Sequence, residues 1–243
     1  GVSYQVSSAV QNLVNGFGTA VNPQLTKSYA SEDKKGLHKL MFSSSRISFF
    51  LLLLIALPVM IEIPYLLHLW LVEVPVYTVL FTRIILLEAL FNTLSGPLIT
   101  SLLATGNIKW YQIIVGSIML LNVPVSYLLL KLGFSIETPL IVSLVIILLS
   151  IGARLWFCKY LLSMTILAYL REVVKPVMIV FVLSSIFPMF VYETMECGFL
   201  RLIVTFIISV LSVSLCVYFL GMSKGEQFFL HAFVRNHIGG CRK

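Results

Sequence analysis

Charge is scarce in this sequence. Asp, Glu, Lys and Arg make up 11% of its 243 residues, against about a quarter in soluble domains. That shortage excludes an ordinary soluble domain. With 59% hydrophobic residues and a mean hydropathy of +1.00, the composition is that of a polytopic membrane protein. Short alternating segments of the barrel type are also missing. The apolar runs are continuous over about 20 residues, so the spans are expected to be helices, since lipid leaves backbone N–H and C=O groups no partner outside the chain. Cysteine is sparse: Cys158, Cys197, Cys216 and Cys241 stand far apart, with no C-x-x-C or metal spacing, which argues against a disulfide framework. Cys158 and Cys216 fall in apolar runs and read as small hydrophobes.

Catalytic patterns are absent as well. There is no G-x-S-x-G, H-E-x-x-H, Walker loop, or intramembrane Ser/His or Asp/Asp pair. His38, His231 and His237 fall in parts expected to be cytoplasmic, and His68 falls at the outer interface. The outward loops, such as Val72–Pro75 and Glu193–Cys197, are too short for a glycosyltransferase or polymerase site. The chain carries no nucleotide domain of an ATP-driven pump. The expectation is a non-enzyme with no cofactor and no metal.

Seven spans are expected: about Val2–Val21, the least apolar, then Ile47–Leu71, Val76–Ala104, Trp110–Leu132, Pro139–Tyr160, Val173–Tyr192 and Gly198–Leu220. Lys27, Lys34, Lys35, Lys39, Arg46, Lys109, Arg154, Lys159, Arg171, Lys175, Lys224, Arg235, Arg242 and Lys243 fall on one side, 14 of the 17 basic residues. Lys131 and Arg201, with Arg83 just inside a span, make up the other three. The rich side is expected to be cytoplasmic, with the first helix entering from outside and the tail inside. Topogenesis and anionic lipid headgroups account for the net charge of +7 without nucleic acid. Two basic connections look amphipathic: Ser31-Glu32-Asp33 caps a helix through Leu37, Leu40 and Met41, and residues 161–175 mix Leu162, Ile166 and Leu170 with Arg171 and Lys175. Both suit helices lying in the cytoplasmic interface, with ordinary basic loops as the alternative.

The first helix is the anomaly. Gln5, Ser8, Asn12, Asn15, Thr19 and Asn22 recur in steps of three and four, on one face, while Val6, Val10, Leu13, Phe17 and Val21 take another. Facing lipid, so many polar groups would cost several kcal/mol. Packing between helices would absorb one or two of them. Five or six over five turns point to a hydrated cavity, which Asn22-Pro23 would end at the cytoplasmic mouth. Glu88, deep in the third span, is a candidate proton site or cation partner. Asn92 lies one turn further on the same face. Arg83 lies nearer the outer end, where it can snorkel. Glu62 and His68 read as solvated at the outer interface. Pro58, Gly96-Pro97 and Pro124 interrupt helices at depth, which permits bending.

The run AVNPQLTKSYASEDKKGLHKLMFSSSRISFFLLLLIALPVMIEIPYLLHLWL places a polar helix ending in N-P-Q-L-T-K-S-Y-A before a basic linker and an apolar helix with a Leu-Trp-Leu corner. With LLATGNIKWYQ and LREVVKP further on, it resembles the C-terminal lobe of bacterial polysaccharide (Wzx-type, O-antigen) flippases. These belong to the multidrug/oligosaccharidyl-lipid/polysaccharide (MOP, MATE-like) exporter superfamily. The resemblance implies an all-α membrane helix bundle built of two six-helix lobes, often with two extra helices. The seven spans would match the eighth through fourteenth. Residues 1–160 would supply lobe helices, 161–175 a cytoplasmic amphipathic linker, 176–220 the two extra helices and 221–243 a cytoplasmic tail. The chain, which begins Gly-Val-Ser, is accordingly expected to be the C-terminal portion of a longer protein, lacking the lobe's first helix and the N-terminal lobe.

The implied activity is alternating-access transfer of undecaprenyl-pyrophosphate-linked oligosaccharide across the bacterial inner membrane, for surface polysaccharide or lipopolysaccharide, with H+ or Na+ coupling. The polar face of the first helix would line the central cavity, and Arg83 is the one cation beside it. Two other functions fit the same residues. A multidrug/cation antiporter of the superfamily would use Glu88 as its coupled carboxylate, but should carry aromatics where this sequence has amides. A membrane enzyme of glycan assembly lacks candidate catalytic residues.

Overall fold

A computed structural model describes residues 2–71, 73–223 and 225–227. In helix α1 the side chains of Val6, Val10, Leu13 and Asn15 lie outside the described residues, as do Lys224 and the tail with His231, Arg235, His237, Cys241, Arg242 and Lys243. Among the described residues the chain is helical without strands. The elements are α1 (Val2–Ala30), α2 (Lys34–Trp70), α3 (Thr78–Thr93), α4 (Ser95–Ala104), α5 (Lys109–Leu120), α6 (Asn122–Lys131), α7 (Thr138–Leu162), α8 (Ile166–Tyr169), α9 (Lys175–Thr194) and α10 (Phe199–Cys216). A π-helical turn at Leu170–Val174 joins α8 to α9, and another at Val217–Gly221 extends α10.

Among the described residues six stretches are long and apolar enough to cross a membrane: α2, α3–α4, α5–α6, α7, α8–α9 and α10 with its π turn. Helix α1, expected as the least apolar of seven spans, is not among these six; its amides and hydroxyls lower its hydropathy. One correction concerns α1's end. The helix continues through Asn22-Pro23 to Ala30. Pro23 supplies a helical φ but has no N–H to return to the Thr19 carbonyl, and the Thr26 hydroxyl adds a bond to the Asn22 carbonyl at 3.1 Å.

Asp33 does cap a helix, accepting from the Gly36 N–H at 2.9 Å. That helix is continuous with the span expected after it. No breaker separates it from the next span, so α2 runs 37 residues, about 55 Å at 1.5 Å per residue. Leu37 and Met41 are buried in the protein core. The stretch 161–175 likewise leads into α9, with Leu162, Met164, Tyr169 and Val173 buried. Short-range apolar patterning cannot tell lipid from protein as the partner.

Helix α2 is the central post, packed against α1, α3, α4, α9 and α10, while α7 backs α3 to α6. Over its apolar window 56% of α2 is buried, against 11% for α5–α6 at the periphery. Buried serines let α2 approach its neighbours closely: Ser44, Ser45 and Ser48 lie on it, with Ser184 on α9 and Ser209 and Ser212 on α10.

Prolines inside helices free the carbonyl four residues earlier, and in lipid that group needs another donor. Two side chains meet this need. Arg83 Nε donates to the Met60 carbonyl, freed by Pro64, at 3.0 Å. The Ser212 hydroxyl donates to the Ser184 carbonyl, freed by Pro188, at 3.0 Å, and so joins α10 to α9.

Candidate functional site

Helices α1, α3 and α4, with the Ser44–Ser48 face of α2, enclose an open groove of about 440 Å³. Phe17, Gly18, Thr19, Val21 and Asn22 come from α1, Asn92 and Thr93 from the end of α3, and Gly96, Pro97, Ile99 and Thr100 from α4. Its polar groups are hydroxyls and amides, with no charged side chain among the lining residues. The Thr100 hydroxyl donates to Asn22 Oδ1 at 3.0 Å, fastening α4 to α1. Thr19 donates to its own helix at the Gly16 carbonyl, 2.7 Å away.

A second chamber, about 190 Å³, lies further along α1, towards its N-terminal end. Tyr4 and Ser8 line it from α1, Ile85, Glu88, Ala89 and Asn92 from α3, and Ile147 from α7. Asn92 belongs to both cavities. Glu88 Oε1 is buried without a hydrogen-bond partner. An acceptor held in that state is costly, and a proton or a cation would satisfy it.

Of the expected site residues, Ser8, Thr19, Asn22, Glu88 and Asn92 line these two cavities. Gln5 and Asn12 are exposed on α1 but line neither. The side chain of Asn15 lies outside the described residues. Arg83 is half-buried and serves the Pro64 break. Gln5, Ser8, Asn12, Thr19 and Asn22 all stay exposed and are not packed between the helices of this chain. Asn122 only accepts a local bond from Ser126 at 3.1 Å.

Three polar contributions are not apparent from one helix at a time. Ser44 and Ser48 join the groove from α2, and only the helix crossing places them there. Glu62, expected to be solvated, is fully buried instead, because α10 brings Arg201 to it at 3.0 Å, with Thr205 donating to the same oxygen at 3.0 Å. Arg154, counted among the basic connection residues, is 3% exposed inside α7 and donates to Ser95 at 3.0 Å. A helix-face plot of α10, with Arg201 and Thr205 four apart, could have signalled a polar face in search of a buried acid.

A bundle of apolar helices with polar cavities sunk along its least apolar member suits a multi-pass membrane transporter. The sequence profile of the MatE family matches residues 1–128, more than half of the 243-residue chain. The chain belongs to the MatE family, and thus to the transporters of the MOP superfamily. No curated protein and no solved structure matches it.

Proposed function

We propose that this protein belongs to a flippase for lipid-linked oligosaccharides, working by alternating access in the bacterial inner membrane, with the Lys/Arg-rich end of the bundle cytoplasmic. The observation that carries the reading is the neutral hydroxyl-and-amide lining of the 440 Å³ groove. Sugar hydroxyls both donate and accept; Asn22, Asn92 and Ser48 offer both functions, while Thr93, Thr100 and Ser44, whose hydroxyls donate to Leu90, Asn22 and Leu40, offer acceptors. Phe17, the one aromatic among the described lining residues, is a poor match for a lipophilic cation, which binds best over several rings. The polyprenyl tail of such a cargo would remain in lipid while the headgroup crosses. In this reading the protein does no covalent chemistry and needs no cofactor.

Deletion of the gene tests it. Surface polysaccharide should be lost, with lipid-linked repeat units accumulating on the cytoplasmic leaflet. Normal export in a strain without a redundant flippase would overturn the reading.

Glu88 supports a second one, the drug/cation antiporter. Its unpartnered oxygen suits an exchanging H+ or Na+. Drug resistance gained on expression and lost in Glu88→Gln, with polysaccharide unaffected, would favour the antiporter. Loss of polysaccharide export in the same variant would make Glu88 the coupling site of a flippase.

A further inference from the structure

The break between α3 and α4 has two faces. One lines the groove, through Asn92, Thr93, Gly96 and Pro97. Here the helix tightens, with the Leu94 N–H donating to the Phe91 carbonyl at 3.1 Å. Pro97 has no N–H to return to the Thr93 carbonyl. The backbone is therefore weakest where it shapes the groove.

The other face is held from behind by three separate elements. The Tyr169 hydroxyl, fully buried on α8, donates to the Leu94 carbonyl at 3.1 Å. Ser45 of α2 donates to the same carbonyl at 3.4 Å. Arg154 of α7 donates from Nη1 to the Ser95 hydroxyl at 3.0 Å. No carboxylate reaches Arg154: the ion pairs among the described residues are Arg46–Glu226 and Arg201–Glu62. Its Nε, buried, has no partner. A guanidinium at this depth is costly, and a nearby anionic partner would be the cheaper arrangement. Here it meets instead the neutral hydroxyl of Ser95, the first residue of α4.

We propose that Arg154 and Tyr169 are positioning residues that hold the α3–α4 bend from behind and so set the shape of the groove. Neither side chain lines the cavity; both act through Leu94 and Ser95. The inference needs the groove's geometry and not its cargo, so it stands or falls separately from the flippase reading.

Disulfide trapping in membrane vesicles tests it, using the full chain with its four native cysteines replaced by alanine. The pair Asn22→Cys/Thr100→Cys reads the closure of α4 on α1, where the native side chains are hydrogen-bonded. The pair Ser184→Cys/Ser212→Cys reads α9–α10 packing, away from the bend. Arg154→Ala should slow the 22–100 disulfide about tenfold and Tyr169→Phe about fivefold, the weights of one charge-assisted and one neutral hydrogen bond. The 184–212 disulfide should be unchanged. Equal slowing of both pairs would make these residues general stabilisers, and an unchanged 22–100 rate would detach them from the groove. Either result overturns the proposal. Tyr169→Phe, which removes one oxygen, keeps it testable if Arg154→Ala does not accumulate.

Discussion

Removing the charge of Glu62 should cost far more than its place near a helix end suggests. Its carboxylate accepts from Arg201 Nε at 3.0 Å, Arg201 Nη2 at 3.1 Å and the Thr205 hydroxyl at 3.0 Å. The guanidinium also lies 4.4 Å from the Tyr192 ring centre. Glu62→Gln keeps the shape and leaves Arg201, 7% exposed, without a counter-charge. Breaking a buried ion pair from one side costs about 3–5 kcal/mol. At about 2–4 °C per kcal/mol for a chain of this size, Tm should fall on the order of 10 °C. Replacing both partners, as Glu62→Leu/Arg201→Met, should recover most of the loss, because two apolar side chains leave no orphaned charge and Thr205 can turn its hydroxyl to its own helix. Unfolding in detergent can be followed by the reaction of the buried Cys158 thiol with a fluorogenic maleimide. A single variant within 2 °C of wild type, or a double variant no more stable than the singles, would refute the ion-pair argument.

Other consequences follow at the opposite end of the bundle and in the second chamber. Burial pushes the Glu226 carboxyl up, but bonds from the Ser43 hydroxyl and the Ser223 N–H and the Arg46 charge outweigh it and hold the carboxyl below its ordinary 4.5. A lowered folded value means that the stabilisation is present above the ordinary carboxylate range and is lost as pH falls through the lowered value. The hydrogen-exchange protection factors of residues 221–227, with the intrinsic pH dependence of exchange divided out, should therefore fall on acidification from about pH 6 to 3, and Ser43→Ala should bring that loss at higher pH. Gly221→Ala would set a Cβ 2.8 Å from two ring atoms of Phe50. It should cost about 1–3 kcal/mol by overpacking, read as a lower Tm; an unchanged Tm would mean that α2 and α10 separate freely there. Glu88→Gln removes a half-buried acid with an unpartnered oxygen. It should raise stability by about 1 kcal/mol while abolishing the ion dependence of transport, and retained ion dependence would take coupling away from Glu88.

The candidate site was partly legible in one helix. Ser8, Thr19 and Asn22 follow from the step of three and four along α1, and Glu88 and Asn92 from the cost of polar groups at depth. Their common chamber was also within reach, since Asn92 sits one turn beyond Glu88. Arg83 shows where such reasoning stops. The family resemblance made it the one cation beside the cavity, with snorkelling at the outer end as the alternative, yet its Nε goes to the Met60 carbonyl that Pro64 frees. Proline positions point to that need, but which distant donor meets it depends on how α3 crosses α2. The prolines likewise suggested ends and bends: Pro97 and Pro124 do accompany breaks, at Leu94 and Leu121, while Pro23, Pro58, Pro64 and Pro188 remain inside continuous helices.

The sequence by itself determined the class of structure, because hydropathy and backbone satisfaction in lipid are local properties that leave only helices for runs of about 20 apolar residues. It also determined which face of α1 is polar, because helical periodicity is local. The tertiary structure alone decided the partners of the charges. Glu62 and Arg201 are 139 residues apart and Arg46 and Glu226 are 180 apart; periodicity within a helix carries no information about which other helix supplies the opposite charge. Packing likewise decided that the basic first turns of α2 bury Leu37 and Met41 against protein. An apolar stripe is stabilised equally by lipid and by a neighbouring helix, and only the assembled bundle distinguishes the two.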